Sequence, residues 1–259
     1  NFEDEEASLP HLSVVGRPNV GKSSFINMIT GQDRNIVKDL AGTTRDSINT
    51  RYNLFGFDFI IVDTAGLRKK KAEKDNIEFY STMRAIRSIE TSDVCIVIID
   101  GEQGFEAQDL NIFSLCQRNH KGIVLVVNKW DKVEKGNNTM KEFEAKIREK
   151  TAPFTDVPIV FTSVINKQRI FKVLEVAKQV YENRSRKIPT SRLNEDILPI
   201  VKEQNPPAEY KGKRVKVKYI TQLKTDYPQF VFYCNLSGRH AFPSVIGSLP
   251  CRRHNIIYI

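Results

Sequence analysis

No apolar run in the 259 residues approaches the roughly 18 that a membrane-crossing helix needs, so a membrane partner is not expected. Lysine and arginine are missing from the first ten residues, NFEDEEASLP, where a signal or transit peptide would be basic. A cytoplasmic location is the expectation. Cysteine is scarce: Cys95, Cys116, Cys234 and Cys251 are widely scattered, with no Cys-x-x-Cys spacing and no His-Cys cluster. That pattern excludes a disulfide framework and offers no metal-binding spacing; a few thiols in a reducing compartment account for it. Internal repeats and low-complexity tracts are lacking too.

What is present is enough apolar residue, 40% of the chain, to bury a real core in one large or two ordinary domains. The net charge of +9 is unevenly placed. Residues 1–11 carry four acids and no Lys or Arg, whereas Arg184 to Ile259 hold 14 Lys+Arg against 5 Asp+Glu. A surplus of that size on a small domain concentrates a polyanion, and nucleic acid is the usual candidate.

From Leu12 to about Glu182 short apolar runs alternate with longer amphipathic stretches. LSVV, FIIVDT, VCIVIID, IVLVVN and VPIVFTS are rich in β-branched residues and bounded by turn residues, so they read as buried strands. Ser23 to Thr30, Ile77 to Ile89, Asp109 to Asn119, Met140 to Lys150 and Ile170 to Asn183 place apolar residues at helical spacing. The alternation predicts an α/β domain, a mostly parallel sheet with helices on both faces. Gly56, between INTRYNLF and FDFIIVDT, allows a tight turn and hence one antiparallel strand. Near ENRSRKIPTSRLNE the rhythm stops, and Pro189 marks a boundary. Thr190 or Ser191 is expected to cap a helix running to about Gln204. Two extended stretches, KRVKVKYITQ and QFVFYCNL, follow. The expected division is an acidic linker over 1–11, a first domain over 12–184 and a small α+β domain over 185–259.

Gly16, Arg17, Pro18, Asn19, Val20, Gly21, Lys22 and Ser23 fit Gly-x-x-x-x-Gly-Lys-Ser between a strand and a helix, with Ser24 next. Consecutive backbone N–H groups in such a P-loop curl around phosphates, which requires residues that tolerate unusual dihedrals and lack bulk. Lys22 would reach the β- and γ-phosphates, the helix would point its positive end at them, and the Ser23 hydroxyl would ligate Mg²⁺. Asp63, Thr64, Ala65 and Gly66 end the next apolar strand, where the Asp63 carboxylate is suited to hold Mg²⁺ through water and the Gly66 N–H to meet a γ-phosphate. Asn128, Lys129, Trp130 and Asp131 end another. Asp131 is placed to accept from the N1–H and exocyclic amine of guanine, whereas adenine would leave that carboxylate unpaired at about 1–3 kcal/mol or more. Asn128 is suited to bond the base edge and tie its loop to the P-loop, and the Lys129 stem to cover one ring face. These motifs, in this order and at strand ends, point to GTP/GDP binding.

At GRPNVGKSSFIN, AGTTRDSI, DTAGLRKK, NKWD, PTSRLNE and KGKRVKVKYITQ the chain resembles the bacterial Der (EngA) family of translation-factor-related GTPases. The resemblance implies the second GTPase domain followed by a KH-like domain, with the first GTPase domain absent from this sequence and the acidic segment as the linker after it. It implies a GTP-hydrolysing switch acting in large-subunit ribosome biogenesis, with ribosomal RNA rather than DNA as partner. A monomer is expected. It also implies that Thr44 closes over Mg²⁺ and that Leu67 stands where other GTPases place a water-orienting glutamine. Some GTPases with a hydrophobic residue there use K⁺ held partly by a P-loop asparagine, here Asn19. Ser163 and Val164 replace the usual Ser-Ala whose backbone meets guanine O6. From about residue 237 the tail SGRHAFPSVIGSLPCRRHNIIYI departs from the family, and without the two helices a KH-like domain should have, Phe230 and Phe232 are expected to be exposed. Two other readings stand beside the switch: an RNA-binding module whose nucleotide pocket is mainly structural, and an ATP-dependent P-loop enzyme such as a kinase, which NKWD opposes.

Overall fold

The computed structural model describes residues 8–31, 38–41, 48–63, 77–134, 136, 138–204, 209–210, 213–214, 216–234 and 256–258. The chain divides into two compact units, Asn1–Glu182 and Asn183–Ile259. Among the described residues no helix is long and apolar enough to cross a membrane.

The first unit is built on seven strands: β1 (His11–Gly16), β2 (Lys38–Ala41), β3 (Ile48–Leu54), β4 (Phe57–Ile61), β5 (Val94–Asp100), β6 (Gly122–Asn128) and β7 (Ile159–Phe161). They are hydrogen-bonded in the order β2-β3-β4-β1-β5-β6-β7. β4, β1, β5, β6 and β7 run parallel, and β3 is reversed. The reversal is made at Phe55-Gly56, between the paired residues Leu54 and Phe57. Both turn residues have positive φ, 52° and 79°, the pair of left-handed conformations that a type I′ hairpin needs. β2 is not foreshadowed by any apolar pattern. Two of its four residues are charged, and it exists as an edge strand through its antiparallel ladder with β3.

Helices α1 (Lys22–Thr30), α2 (Ile77–Thr91), α3 (Ala107–Arg118), α4 (Thr139–Thr151) and α5 (Ile170–Ser185) fall within two residues of the periodic segments. Alternation along the parallel strands feeds two cores. Val14, Ile96, Ile98 and Val126 join Phe25 and Ile26 of α1 and Val173 and Leu174 of α5 on one face. Val15, Val97, Ile99 and Val127 join Ile89 of α2, Phe113 of α3 and Ile147 of α4 on the other. Each of these buried apolar side chains stabilises the fold by about 1.5–3 kcal/mol, so the central strands are held from both sides. The loops bearing the sequence-predicted site residues follow their carboxyl ends.

The second unit contains α6 (Thr190–Gln204), an antiparallel pair β8 (Glu209–Tyr210) and β9 (Lys213–Arg214), and an antiparallel sheet of β10 (Val217–Gln222), β11 (Phe230–Cys234) and β12 (Ile256–Tyr258). Thr190 does not cap α6. It is the first helical residue, and its hydroxyl meets that of Thr221 at 3.1 Å. Asn194 of α6 donates to the Ile220 carbonyl and accepts from the Ile220 N–H, each at 2.8 Å, so its amide occupies the edge of β10 as a neighbouring strand would. The expected exposure of Phe230 and Phe232 is corrected: Phe232 is buried and Phe230 half-buried. Leu193 and Val201 of α6 are buried with them, α6 lies against β10, and the tail supplies β12 as a third strand. The rest of the tail lies outside the described residues.

Candidate functional site

Because β4, β1, β5, β6 and β7 run parallel, Asp63, the loop after Gly16, Asp100, Asn128 and Ser163 all emerge at one edge of the sheet. In an open α/β sheet that edge is where ligands bind. The register fixes the spacing: Gly16 lies opposite Ile98, and Asp100 opposite Asn128.

The glycines of the loop are demanded by close approach. A Cβ on Gly16 would lie 2.4 Å from the Ile98 carbonyl oxygen, and one on Gly21 would lie 2.3 Å from Asn128 Nδ2. Gly21 also holds φ at 105°, and Asn19 is left-handed at 63°, a conformation asparagine tolerates better than most residues. Pro18 and Asn19 are exposed, while Val20 is buried and anchors the loop to the core. Lys22 donates to the carbonyls of Gly16, at 2.8 Å, and Arg17, at 2.5 Å. Burial pushes its ammonium down to a pKa of about 8. A half-buried cation bonded to carbonyls alone among the described residues, beside the start of α1, is suited to an anion. Ser23 is half-buried and Ser24 exposed in the first turn.

Asn128 joins three segments. Its Nδ2 donates to the Val20 carbonyl at 2.8 Å, and its Oδ1 accepts from the Val164 N–H at 3.1 Å. Both ends of the amide are thus engaged by protein, so its tie to the P-loop is present, and the Val164 N–H belongs to the same bridge. The Val164 side chain is buried in the same core as Val20, which gives its extra bulk a place. Ser163 is buried, its carbonyl accepting from the Gln168 N–H at 2.9 Å. Lys129 is left-handed at φ 59°, with its ammonium 2.6 Å from Asp100 Oδ2. Burial alone would raise the Asp100 carboxyl; the Lys129 hydrogen bond and the Glu102 N–H outweigh it and hold the group below the usual range. Asp131 is exposed and has no hydrogen bond or ion pair among the described residues.

Two predicted site residues point elsewhere. Trp130 is buried, its ring 4.5 Å from that of Phe161 and 5.6 Å from that of Phe143, so its side chain anchors the loop to the core. The Arg17 guanidinium turns away from the cradle and is buried against Asp109, Gln103, Glu106 and the Gly104 carbonyl. Asp63 is half-buried, left-handed at φ 55°, with its N–H donated to Asn49 Oδ1 at 3.2 Å. Thr44, Thr64, Ala65, Gly66 and Leu67 lie outside the described residues. Asp100 and Asp109 were not read from the sequence; an acid ending VCIVIID was the available signal for the first, and nothing local signalled the second.

A family model described as 50S ribosome-binding GTPase matches residues 11–129, and one described as the KH-domain-like C-terminal part of EngA bacterial GTPase enzymes matches residues 187–243. The protein called GTPase Der from Christiangramia forsetii is 61% identical over 234 residues, 90% of this chain and 54% of that protein. Its counterpart from Bacteroides thetaiotaomicron is 60% identical over 230 residues, 88% of this chain and 52% of that protein. The chain spans about half the length of the curated relatives it matches. Among solved structures, Era in complex with MgGDPNP and a segment of 16S ribosomal RNA has a TM-score of 0.52 at 23% identity, over 83% of this chain and 74% of that one. A variant of Aquifex aeolicus Era bound to GDP and AlF4⁻ has a TM-score of 0.51 at 23% identity, over 83% and 73%. At these identities the likeness shows the fold.

Proposed function

The chain belongs to the Der (EngA) family of GTPases, and from that premise we propose that it binds GTP at the carboxyl edge of its seven-stranded sheet, hydrolyses it slowly, and acts as a switch in ribosome biogenesis. The observation that carries this reading is the Asn128 bridge, which ties the phosphate cradle to the loop bearing the exposed Asp131 carboxylate. One molecule with phosphates at one end and a donor-rich purine edge at the other satisfies both. Guanine supplies two donors to a carboxylate; adenine does not.

In this reading the backbone N–H groups from Asn19 to Ser23 and the Lys22 ammonium hold the phosphates, and Asp131 selects the base. Ser23 and, through water, Asp63 would hold Mg²⁺, with Thr44 joining when GTP is bound; the ion supplies positive charge to phosphate oxygens as negative charge develops. The Gly66 N–H would meet the γ-phosphate. Leu67 cannot orient water, so charge neutralisation carries more of the catalysis, and Asn19 would contribute to a K⁺ site. Asn19 is exposed at the loop's crest, which leaves its amide accessible to such an ion.

The partner in this proposal is the large ribosomal subunit and its RNA, met in the cytoplasm by a monomer. The surplus of positive charge from Arg184 onward supports it. A turnover assay tests the reading: GTP hydrolysis should be stimulated by saturating large ribosomal subunits and be indifferent to excess ATP. Nucleotide binding without any stimulation would favour an RNA-binding module with a structural pocket.

A further inference from the structure

On the sheet of the second unit, Tyr219 of β10 lies directly opposite Tyr233 of β11, so the two side chains leave the same face. Their rings are stacked, with centroids 4.4 Å apart and planes 12° from parallel. The neighbouring pair in the ladder, Ile220 and Phe232, points to the opposite face and is buried. Tyr219 therefore stands over a packed sheet, yet 41% of it remains exposed. Each ring covers one face of the other. The remaining aromatic surface faces water.

The residue that precedes Tyr219 in the strand is a lysine. The register shifts between Val217 and Tyr219, leaving Lys218 as the extra residue of an irregularity in the ladder. Lys218 is exposed and has no hydrogen bond or ion pair among the described residues. In the sequence it closes a run in which Lys211, Lys213, Arg214 and Lys216 precede it without an intervening acid. An aromatic face held rigid by a second ring, next to an unpaired cation, matches what a single-stranded nucleic acid presents: an unpaired base to stack and a phosphate beside it. A double helix hides its base faces, and a purely apolar partner has no use for the lysines.

The geometry points to Tyr219, backed by Tyr233 and flanked by Lys218, as a stacking site for an unpaired base of single-stranded RNA. This deepens the RNA reading above and rests on it. Tyr233 fixes the angle of the Tyr219 ring, so little ordering remains to be done on binding. A π-face accepts any base, so the site is expected to be tolerant of sequence and to add affinity to backbone contacts made elsewhere.

Anisotropy of a fluorescein-labelled, mixed-sequence single-stranded RNA of about ten nucleotides, titrated with the full chain, tests the assignment. Tyr219→Ala and Tyr219→Leu should weaken binding about tenfold, whereas Tyr219→Phe and Tyr219→Trp should bind as the unaltered chain does. Leucine keeps the bulk without the ring, and unchanged melting of the Phe and Leu variants separates a lost stack from a lost fold. Lys218→Ala should lower the dependence of affinity on salt by about one ion. An abasic oligonucleotide of the same length should bind the unaltered chain and Tyr219→Ala equally. Should the Ala and Leu variants bind RNA as well as the unaltered chain, the stacking site is overturned while the RNA reading survives. If the unaltered chain binds no RNA, both fall.

Discussion

Asn128 Nδ2 donates to the carbonyl oxygen of Val20 at 2.8 Å, joining residues 108 positions apart in the chain. The other end of the same amide accepts from Val164 N–H. One side chain thus holds the P-loop, the loop bearing Asp131 and the loop after β7 in register. Asn128→Ala leaves a buried carbonyl and a buried N–H without partners, each at about 1–3 kcal/mol. GTP affinity should fall by at least about tenfold, with a lower melting temperature. Asn128→Asp should be no better, because its carboxylate cannot donate to Val20. Isothermal titration with GTP and a thermal melt check both; native affinity in either variant would remove the bridge from the site.

Asp131 reads the base in the proposed function, and its exposure keeps the carboxylate available to a ligand. Asp131→Asn replaces an acceptor with an amide that can donate. The variant should lose GTP affinity by roughly ten- to a hundredfold and gain affinity for xanthosine triphosphate, whose 2-oxo group accepts where guanine donates. Competition of the two nucleotides against fluorescent GDP measures the switch.

Lys22 gives the site a pH dependence. Its pKa is lowered to about 8 by burial, against about 10.4 for a free lysine. Phosphates favour the charged ammonium, so the bound form has the higher pKa. Binding must then take up a proton between about pH 8 and the bound pKa, and affinity must fall as pH rises through that window. Below it, in the region where Lys22 is charged in both states, this contribution to affinity is flat. Calorimetry at pH 8.5 in buffers of different ionisation enthalpy should report uptake for GDP and none for guanosine, which shares the base but lacks phosphates. Equal proton uptake by the two would place the titration on another group.

How much of this was legible in the sequence follows from what each residue does. Gly16 and Gly21 carry a signature because the loop has no room for a Cβ, and Asp131 because the proposed reading of guanine calls for a carboxylate. Alternating apolar strands were readable because both faces of the sheet are buried. β2 was not, since an edge ladder needs no apolar pattern. Trp130 sits inside a nucleotide-binding motif yet serves the core, a distinction that requires knowing where Phe143 and Phe161 lie. Asp109 as partner of Arg17 was invisible for the same reason: 92 residues separate them.

Asn19 should make hydrolysis respond to the monovalent cation. Turnover is expected to be several-fold faster in K⁺ than in Na⁺, and Asn19→Gly should abolish that difference. Glycine is the informative replacement, because it retains the left-handed φ of 63° that alanine would strain. Equal rates in the two salts for the unaltered chain would take Asn19 out of catalysis.

Arg17 supplies a prediction about rigidity. Its guanidinium donates to Asp109, Gln103, Glu106 and the Gly104 carbonyl, while its own carbonyl accepts from Lys22. The side chain thus braces the P-loop against the start of α3, and the backbone positions Lys22, the lysine proposed to bind phosphate. Asp109 is fully buried, so Arg17→Met strands a carboxylate and should destabilise the fold by about 3–5 kcal/mol. Adding Asp109→Asn removes the stranded charge and keeps an acceptor for the Glu106 N–H, so the double variant should recover much of that loss. It does not restore the brace. Nucleotide affinity should therefore stay about tenfold weak in the double variant even where both chains are fully folded. A double variant that binds GTP normally would show that the ion pair serves stability alone, and that Lys22 is positioned without it.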